Sequence, residues 1–383
     1  MRRLAQERRL KPAEKCVAMA IQSASLDGLT GQRLFQPKTQ IGSSIFKMAE
    51  VSKNSVTQAL ITENEHGQRL DNLLLKKCKG VPKSHVYSIV RSGQVRVNGR
   101  RVEVSYRLQS GDVLRIPPLR TARIEQEVVA GAEFKVHLPI VFEDEGLLVV
   151  DKPAGIAVHG GSGESFGIIE ALRRQRPEAH FLELAHRLDR ETSGILLLGK
   201  KRSVLLALQE MFRTSALGGG RQGADKRYLV LVCGRWMDPL RNVRLPLLKY
   251  LQASGERRVR VSEEGKTAHT IFRLVARWER FSLLEAQLKT GRTHQIRVHL
   301  AHLGFPIAGD EKYGDFALNK ALSREGLKRM FLHASRMRLP HPLGERELMV
   351  EAALPAALQS FVHSISAKET QDYGEKVGVG GSI

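Results

Sequence analysis

Leu70, Leu73, Leu74 and Lys77 fall at helical spacing, with Arg69 and Asp71 in the first turn, and predict a short helix. Pro82 opens a second helix over 83–91, which Ser92-Gly93 ends. Val95-Arg96-Val97 and Arg101-Val102-Glu103-Val104 then alternate on either side of Asn98-Gly99, the pattern of a hairpin. Gly111-Asp112 and the run Val113-Leu114-Arg115-Ile116 close a helix–helix–hairpin module over 66–117. Residues 118–133 read as a linker. From 134 to 365 the pattern changes. Strand-like runs occur at 140–143, 147–150, 195–198, 228–232, 268–274, 281–288 and 349–352, and helical spacing at 167–174, 203–213, 293–303 and 320–328. Short strands interspersed with helices, without an internal repeat, predict an α+β domain around a mixed, mainly antiparallel sheet.

The ends differ from this pattern. Residues 1–60 read as an extension, and within 1–47 nine Lys/Arg stand against three Asp/Glu without sustained periodicity. The segment reads either as an Arg-rich targeting sequence or as a disordered arm lying upstream of a true start at Met48. The second reading is preferred, because ordered-looking sequence begins only near Thr57. Residues 366–383, Gly-rich at their end, read as a disordered tail.

Charge narrows the class of partner. Lys plus Arg number 61 and Asp plus Glu 40, a net charge of +21. Such an excess points to a polyanion: nucleic acid first, an anionic membrane surface second. The module at 66–117 holds eleven Lys/Arg and three Asp/Glu, and so about eight of these charges. A run of about 18 apolar residues, as a membrane span requires, is absent. Three widely spaced cysteines without a CxxC pair argue against a disulfide framework or structural zinc, and fit a reducing cytoplasm.

Three segments carry candidate chemistry. In Ala185-His186-Arg187-Leu188-Asp189-Arg190-Glu191-Thr192-Ser193-Gly194 a carboxylate lies between two arginines, just before a buried strand. Flanking guanidinium groups favour its charged form, which suits a nucleophile or base, although on local chemistry alone an Asp that caps a turn while pairing with Arg187 or Arg190 is the preferred reading. In Leu288-Lys289-Thr290-Gly291-Arg292-Thr293-His294-Gln295-Ile296-Arg297-Val298-His299, Thr290 or Thr293 is positioned to cap a helix, and Arg292 and Arg297 suit phosphate or carboxylate. His294, His299 and His302 do not match a known metal-ligand spacing, so RNA contact or core packing is expected of them and no metal. Asp225-Lys226-Arg227-Tyr228-Leu229-Val230-Leu231-Val232 alone is a strand with an aromatic near its start. A hydrolase using Ser193 is disfavoured, because Ser193 lacks the G-x-S-x-G elbow.

Taken together, these segments resemble the RluA-type pseudouridine synthases, in which His-Arg-Leu-Asp-x-x-Thr-Ser-Gly carries the catalytic aspartate. The match begins at Asp151-Lys152-Pro153-Ala154-Gly155. It continues through Gly304-Phe305-Pro306-Ile307-Ala308-Gly309-Asp310, Lys312-Tyr313-Gly314 and Leu332-His333-Ala334. Arg69-Leu70-Asp71, Val81-Pro82-Lys83-Ser84, Gly93 to Gly99 and Gly111-Asp112 resemble the S4 RNA-binding module. Ser165-Phe166-Gly167, Tyr106-Arg107-Leu108 and Arg115-Ile116-Pro117-Pro118 look most like the subgroup acting on large-subunit (23S) ribosomal RNA.

The resemblance implies a cofactor-free isomerase with Asp189 as the attacking carboxylate. Tyr228 would stack on the base and deprotonate it late. Arg297 would pair with the aspartate, with Arg292 the second choice, and Ile296 would pack beneath the tyrosine. His186, Arg187 and Arg190 would contact the substrate, the two arginines as phosphate clamps or as stand-ins for a flipped base. Lys83, Arg91 and Arg96 would grip the RNA backbone. The expected partner is free or precursor ribosomal RNA, and the expected state a cytoplasmic monomer. The rival is an RNA adaptor with an inert second domain, against which the set Asp189, Tyr228 and Arg297 argues.

Overall fold

The computed structural model describes residues 55–78, 81–119, 137–160, 166–216, 223–344 and 346–377. The arm expected at 1–47, most of the linker and the last residues, 378–383, lie outside the described residues. The described residues divide into two compact units, 55–119 with Lys201–Ser203, and 137–200 with 204–377.

The smaller unit contains β1 (Thr57–Leu60), α1 (Leu70–Lys77), α2 (Lys83–Arg91), β2 (Arg96–Val97) and β3 (Val113–Ile116). Both helices form where spacing predicts them. Leu70, Leu73 and Leu74 of α1 and Val86, Ile89 and Val90 of α2 pack into one apolar core with Val95, Val97, Leu108, Leu114 and Ile116. The turn at Asn98-Gly99 has both residues left-handed, with φ of 51° and 75°, as a tight hairpin turn requires. The hairpin itself is shorter than expected. One bridge, Val97 to Arg100, forms, and the arm 101–104 then leaves the ladder. The Asn98 side chain instead donates to Asp112 Oδ1 at 2.7 Å and accepts from Val113 N at 2.7 Å, which draws β3 against β2. β1 completes the sheet on the other side of β3, so the extension expected at 1–60 and the module start at 66 are corrected: the sheet begins at Thr57. Four residues offer too short an alternation to stand out in sequence.

The larger unit contains β4 (Ile140–Glu143), β5 (Leu147–Lys152), α3 (Ile168–Gln175), β6 (Glu183–Leu184), β7 (Ser193–Gly199), α4 (Arg202–Ala216), β8 (Asp225–Cys233), β9 (Leu240–Arg244), β10 (Leu247–Leu251), β11 (Arg257–Val261), β12 (His269–Arg277), β13 (Phe281–Leu288), α5 (Gln295–His302), α6 (Phe316–Arg324), β14 (Leu332–Pro340), β15 (Glu347–Glu351) and α7 (Ala356–Val377). The main sheet runs β4-β5-β7-β14-β8-β13-β12-β9, with β15 on β14 and β6 on β7. β7 and β14 are parallel, and the other ladders of this sheet are antiparallel. The fold is α+β on a mixed, mainly antiparallel sheet, as the pattern of elements predicts.

Both faces of the sheet are covered. Leu148, Val150, Leu196, Leu198, Val230, Val232 and Leu284 point to one side, where Ile168, Ile169 and Leu172 of α3 and Ile296 and Leu300 of α5 meet them. Leu229, Leu231 and Leu283 point to the other, against Leu358, Phe361 and Val362 of α7. Leu147, Val149, Ile195 and Leu197 pack on Val204, Leu205 and Leu208 of α4. Burial on both faces explains why 195–198 is a continuous apolar run rather than an alternation. β14 escaped the pattern reading because Arg336 and Arg338 interrupt its apolar residues. α7 continues to Val377, which corrects the tail expected from 366.

Candidate active site

The turn before β7 presents Asp189. Thr192 N donates to Asp189 O at 3.1 Å, closing the turn. Lys152, fully buried at the end of β5, donates its Nζ to Pro153 O, Ile156 O and Arg190 O at 2.7, 2.8 and 3.0 Å. Gly155 N also donates to Arg190 O, at 2.9 Å. The loop after β5 and the Asp189 turn are therefore stitched together through one carbonyl. Burial pushes the Lys152 ammonium down to about 7. Gly194 follows at φ +109°, where a Cβ would lie 2.2 Å from Ala334 O, so only glycine lets β7 approach β14 here.

The second segment supplies the partner of Asp189. Helix α5 starts at Gln295 after His294 in the left-handed region (φ 53°). Neither threonine caps it through a backbone N–H. Thr290 Oγ1 instead donates to Gln295 Oε1 at 2.7 Å, and that oxygen also accepts from Arg292 N at 3.0 Å. This fold-back places Arg297, buried in the first turn, with Nη1 3.4 Å from Asp189 Oδ2. The same guanidinium makes a bidentate pair with buried Asp310, at 2.8 and 2.7 Å. Burial works against the charge on both partners of that pair. Mutual bonding outweighs it, raising the pKa of Arg297 and lowering that of Asp310. Backbone N–H groups of Lys312 and Tyr313 add to the hold on Asp310, at 2.9 and 3.1 Å.

A second line of contacts reaches the other carboxylate oxygen. Val259 N donates to Tyr313 Oη at 3.0 Å, and Tyr313 Oη lies 2.7 Å from His294 Nδ1. With the Tyr313 hydroxyl donating to Nδ1, the histidine proton would stand on Nε2, which lies 3.9 Å from Asp189 Oδ1. Burial lowers the pKa of His294 despite the nearby carboxylate.

Tyr228 on β8 is buried beside this pair. Its cross-strand partners are Ala334 on β14 and Ala286 on β13, and Ala334 in turn faces Gly194 on β7. Small residues thus flank the ring at its level in the sheet. Burial, and next the charge of Asp189, raise the phenol's pKa. A cavity of about 580 Å³ holds Asp189, Tyr228, Ile296 and Arg297, with His186, Arg187, Lys226 and Arg292 also in its wall. A second, of about 550 Å³, also reaches Asp189 and is lined by Arg187, Arg190, Arg258, Lys328 and Arg329 among others.

The structure thus gathers Asp189, Tyr228, Ile296 and Arg297, which the sequence separates by up to 108 residues. It separates others. The arginines flanking Asp189 are not its partners: Arg187 is exposed, and Arg190 pairs with Glu191 at 2.8 Å. Arg292 donates to Thr267 O, so the pairing role falls to Arg297. His186 lies edge-on to Phe212 and accepts from Leu197 N at 3.1 Å. Burial and the charge of Lys226 push its imidazole down to about 3. His299 is a core residue, bonded to Thr270 Oγ1 and Leu245 O. Ser193 is buried and joins His333 and Arg329, and His333 Nε2 meets Ala352 O rather than a carboxylate. Among the described residues, no group of three or more His, Cys, Asp and Glu is arranged to hold a metal ion. In the smaller unit, Lys83, Arg91 and Arg96 are exposed on α2 and β2. Sequence reasoning missed Asp310, Tyr313 and Lys226 as site residues, and left His294 between RNA contact and core packing. Their only local signal was their place inside motifs that stand out for other reasons.

The RNA pseudouridylate synthase family profile matches residues 146–302, and the S4 domain profile matches residues 68–114. The chain is 47% identical to ribosomal large subunit pseudouridine synthase C of Pasteurella multocida, over 85% of this chain and 99% of that protein. It is 49% identical to the protein of that name from Yersinia pestis, over 83% and 99% of the two chains. With that of Escherichia coli it shares 48%, over 81% and 97%. Asp189, Tyr228 and Arg297 all fall inside the matched span, and the chain belongs to the RNA pseudouridylate synthase family.

Proposed function

We propose that this protein converts specific uridines of large-subunit (23S) ribosomal RNA to pseudouridine, acting as a cytoplasmic monomer on free or precursor RNA without a cofactor. The observation that carries the proposal is a carboxylate, Asp189, held 3.4 Å from a buried guanidinium in a cavity that also presents Tyr228. The isomerisation breaks N1–C1′ and forms C5–C1′. The proton lost from C5 is balanced by one gained at N1, so neither redox chemistry nor a group donor is required. Asp189 supplies the nucleophile, by addition to C6 or attack at C1′. The base is flipped from its stack to reach it, and Arg187 and Arg190 at the cavity walls contact the displaced strand.

Tyr228 packs against the base. Its raised pKa keeps it a neutral phenol in the resting site. Covalent attachment of Asp189 to the substrate removes the carboxylate's charge and with it the lesser of the two causes of that shift. The phenol then passes its proton to N1 of the detached base, and the phenolate so formed takes the C5 proton late in the reaction, so that the two transfers balance. Arg297 balances Asp189, and Ile296 packs with the tyrosine. His186 shapes the wall. Mapping pseudouridine in ribosomal RNA from cells lacking the protein tests the proposal: specific large-subunit positions are expected to revert to uridine, and an unchanged map would refute it.

The S4 unit supplies affinity through Lys83, Arg91 and Arg96. Reversing all three charges is expected to weaken RNA binding and lower the slope of log K against log salt by about 0.7–0.9 for each phosphate that is no longer neutralised. Filter binding across a salt series measures both, and an unaltered slope counts against this face.

A further inference from the structure

Lys226 has an environment that the reaction as described does not use. Its side chain is buried on β8, two residues before Tyr228. Both line the larger cavity, and residues at this spacing project from the same face of a strand, about 7 Å apart. The ammonium lies 5.1 Å from the centre of the Phe212 ring and close to Gly291, where a Cβ would stand 3.7 Å from it. The imidazole of His186 in the same wall is pushed toward its neutral form by burial and by the charge of Lys226. Among the described residues it has no hydrogen-bond acceptor and no carboxylate partner, and burial alone pushes it down to about 8. A desolvated cation without a counter-charge is costly unless an anion arrives. The cavity wall holds five cations, Arg187, Arg213, Lys226, Arg292 and Arg297, against one carboxylate, Asp189, which Arg297 already faces.

We propose that Lys226 is a substrate-binding residue whose ammonium pairs with a phosphodiester oxygen of the RNA strand at the flipped nucleotide. Full negative charge, rather than a carbonyl dipole of the base, offsets a buried ammonium. Two residues' travel along β8 from the tyrosine that meets the base matches the scale of the step from a base to its own phosphate. The proposal rests on reading the cavity as an RNA site.

The test uses full-length protein carrying Asp189→Asn, so that binding is read without turnover. Lys226→Met and Lys226→Arg are added singly, and a large-subunit ribosomal RNA transcript is titrated across a salt series. Lys226→Met is expected to weaken binding about tenfold at ~0.1 M salt and to reduce the salt slope by about 0.7, one single-strand phosphate. Lys226→Arg should keep the slope. The melting temperature of Lys226→Met should hold or rise, because an apolar side chain of similar length replaces a desolvated charge. An unchanged affinity and slope would overturn the proposal. So would equal losses in Lys226→Met and Lys226→Arg accompanied by lowered melting temperatures, which mark a structural role. Absence of turnover by the unmodified protein on the same transcript would refute the isomerase reading without touching this one.

Discussion

Asp189→Asn is expected to lower pseudouridine formation by on the order of 10⁴-fold or more, with RNA affinity changed less than about threefold. The substitution keeps the volume and most hydrogen-bonding capacity of the side chain and removes the nucleophilic charge. Nothing in the fold depends on that charge: the turn is held by Thr192 N on Asp189 O and by the Lys152 and Gly155 contacts to Arg190 O, all through backbone carbonyls. Arg297 retains its bidentate partner, Asp310, so the guanidinium stays in place when Asp189 is neutralised. Affinity is assigned to the S4 unit and the cationic walls rather than to Asp189. Release of tritium from C5-labelled uridine measures turnover, and filter binding at fixed salt measures affinity. Turnover within tenfold of the unmodified enzyme would sink the assignment.

Asp310→Asn is expected to give the largest loss of stability among single substitutions at the site, together with a fall in turnover. Asp310 is almost fully buried and Arg297 nearly so, and neutralising Asp310 leaves the buried guanidinium with only its longer contact to Asp189, a loss approaching the ~3–5 kcal/mol of a broken buried pair. For a unit of this size that is a fall of roughly 10 °C in melting temperature. Released from Asp310, the guanidinium of Arg297 is free to swing toward Asp189, and a carboxylate displaced by about 1 Å loses on the order of 10²-fold in rate. The dependence on pH carries a definite sign. The folded-state pKa of Asp310 is depressed, so its contribution is present above the unfolded value near 4 and is lost as pH falls through the lower folded value. The gap in stability between the unmodified protein and the variant should therefore narrow in acid. Thermal unfolding at pH 7 and at pH 3 checks this, and a gap that widens in acid would contradict the ion-pair account.

Much of the site was legible as local pattern. The Asp189 turn before an apolar strand, the strand bearing Tyr228 and the helix bearing Arg297 were each visible within about ten residues. Their mutual placement was not. Charge adjacency suggested Arg187 and Arg190 as neighbours of the Asp189 carboxylate, but successive residues of a turn direct their side chains apart, and the partner proved to be Arg297, 108 positions away. Arg292 was a plausible substitute on sequence and was excluded by the fold-back of Gln295 that commits the segment 290–295. Asp310, Tyr313 and Lys226 were invisible as site residues because each gains its meaning from burial, and burial follows from what packs on the other side.

The sequence by itself determined the local elements with a clear period, the basic character of the small unit, the need for glycine at a tight turn and the motifs that identify the family. These are properties of neighbouring residues, and short-range sterics and periodic burial write them directly into the chain. Only the tertiary structure decided that β14 inserts between β7 and β8, where it sets Gly194 and Tyr228 on either side of Ala334. It likewise decided that Arg297 is shared between two carboxylates and that Lys226 lies buried in the cavity wall with no carboxylate partner among the described residues. Pairing between distant strands and the desolvation of a charge depend on the whole packed assembly, and no window of sequence contains them.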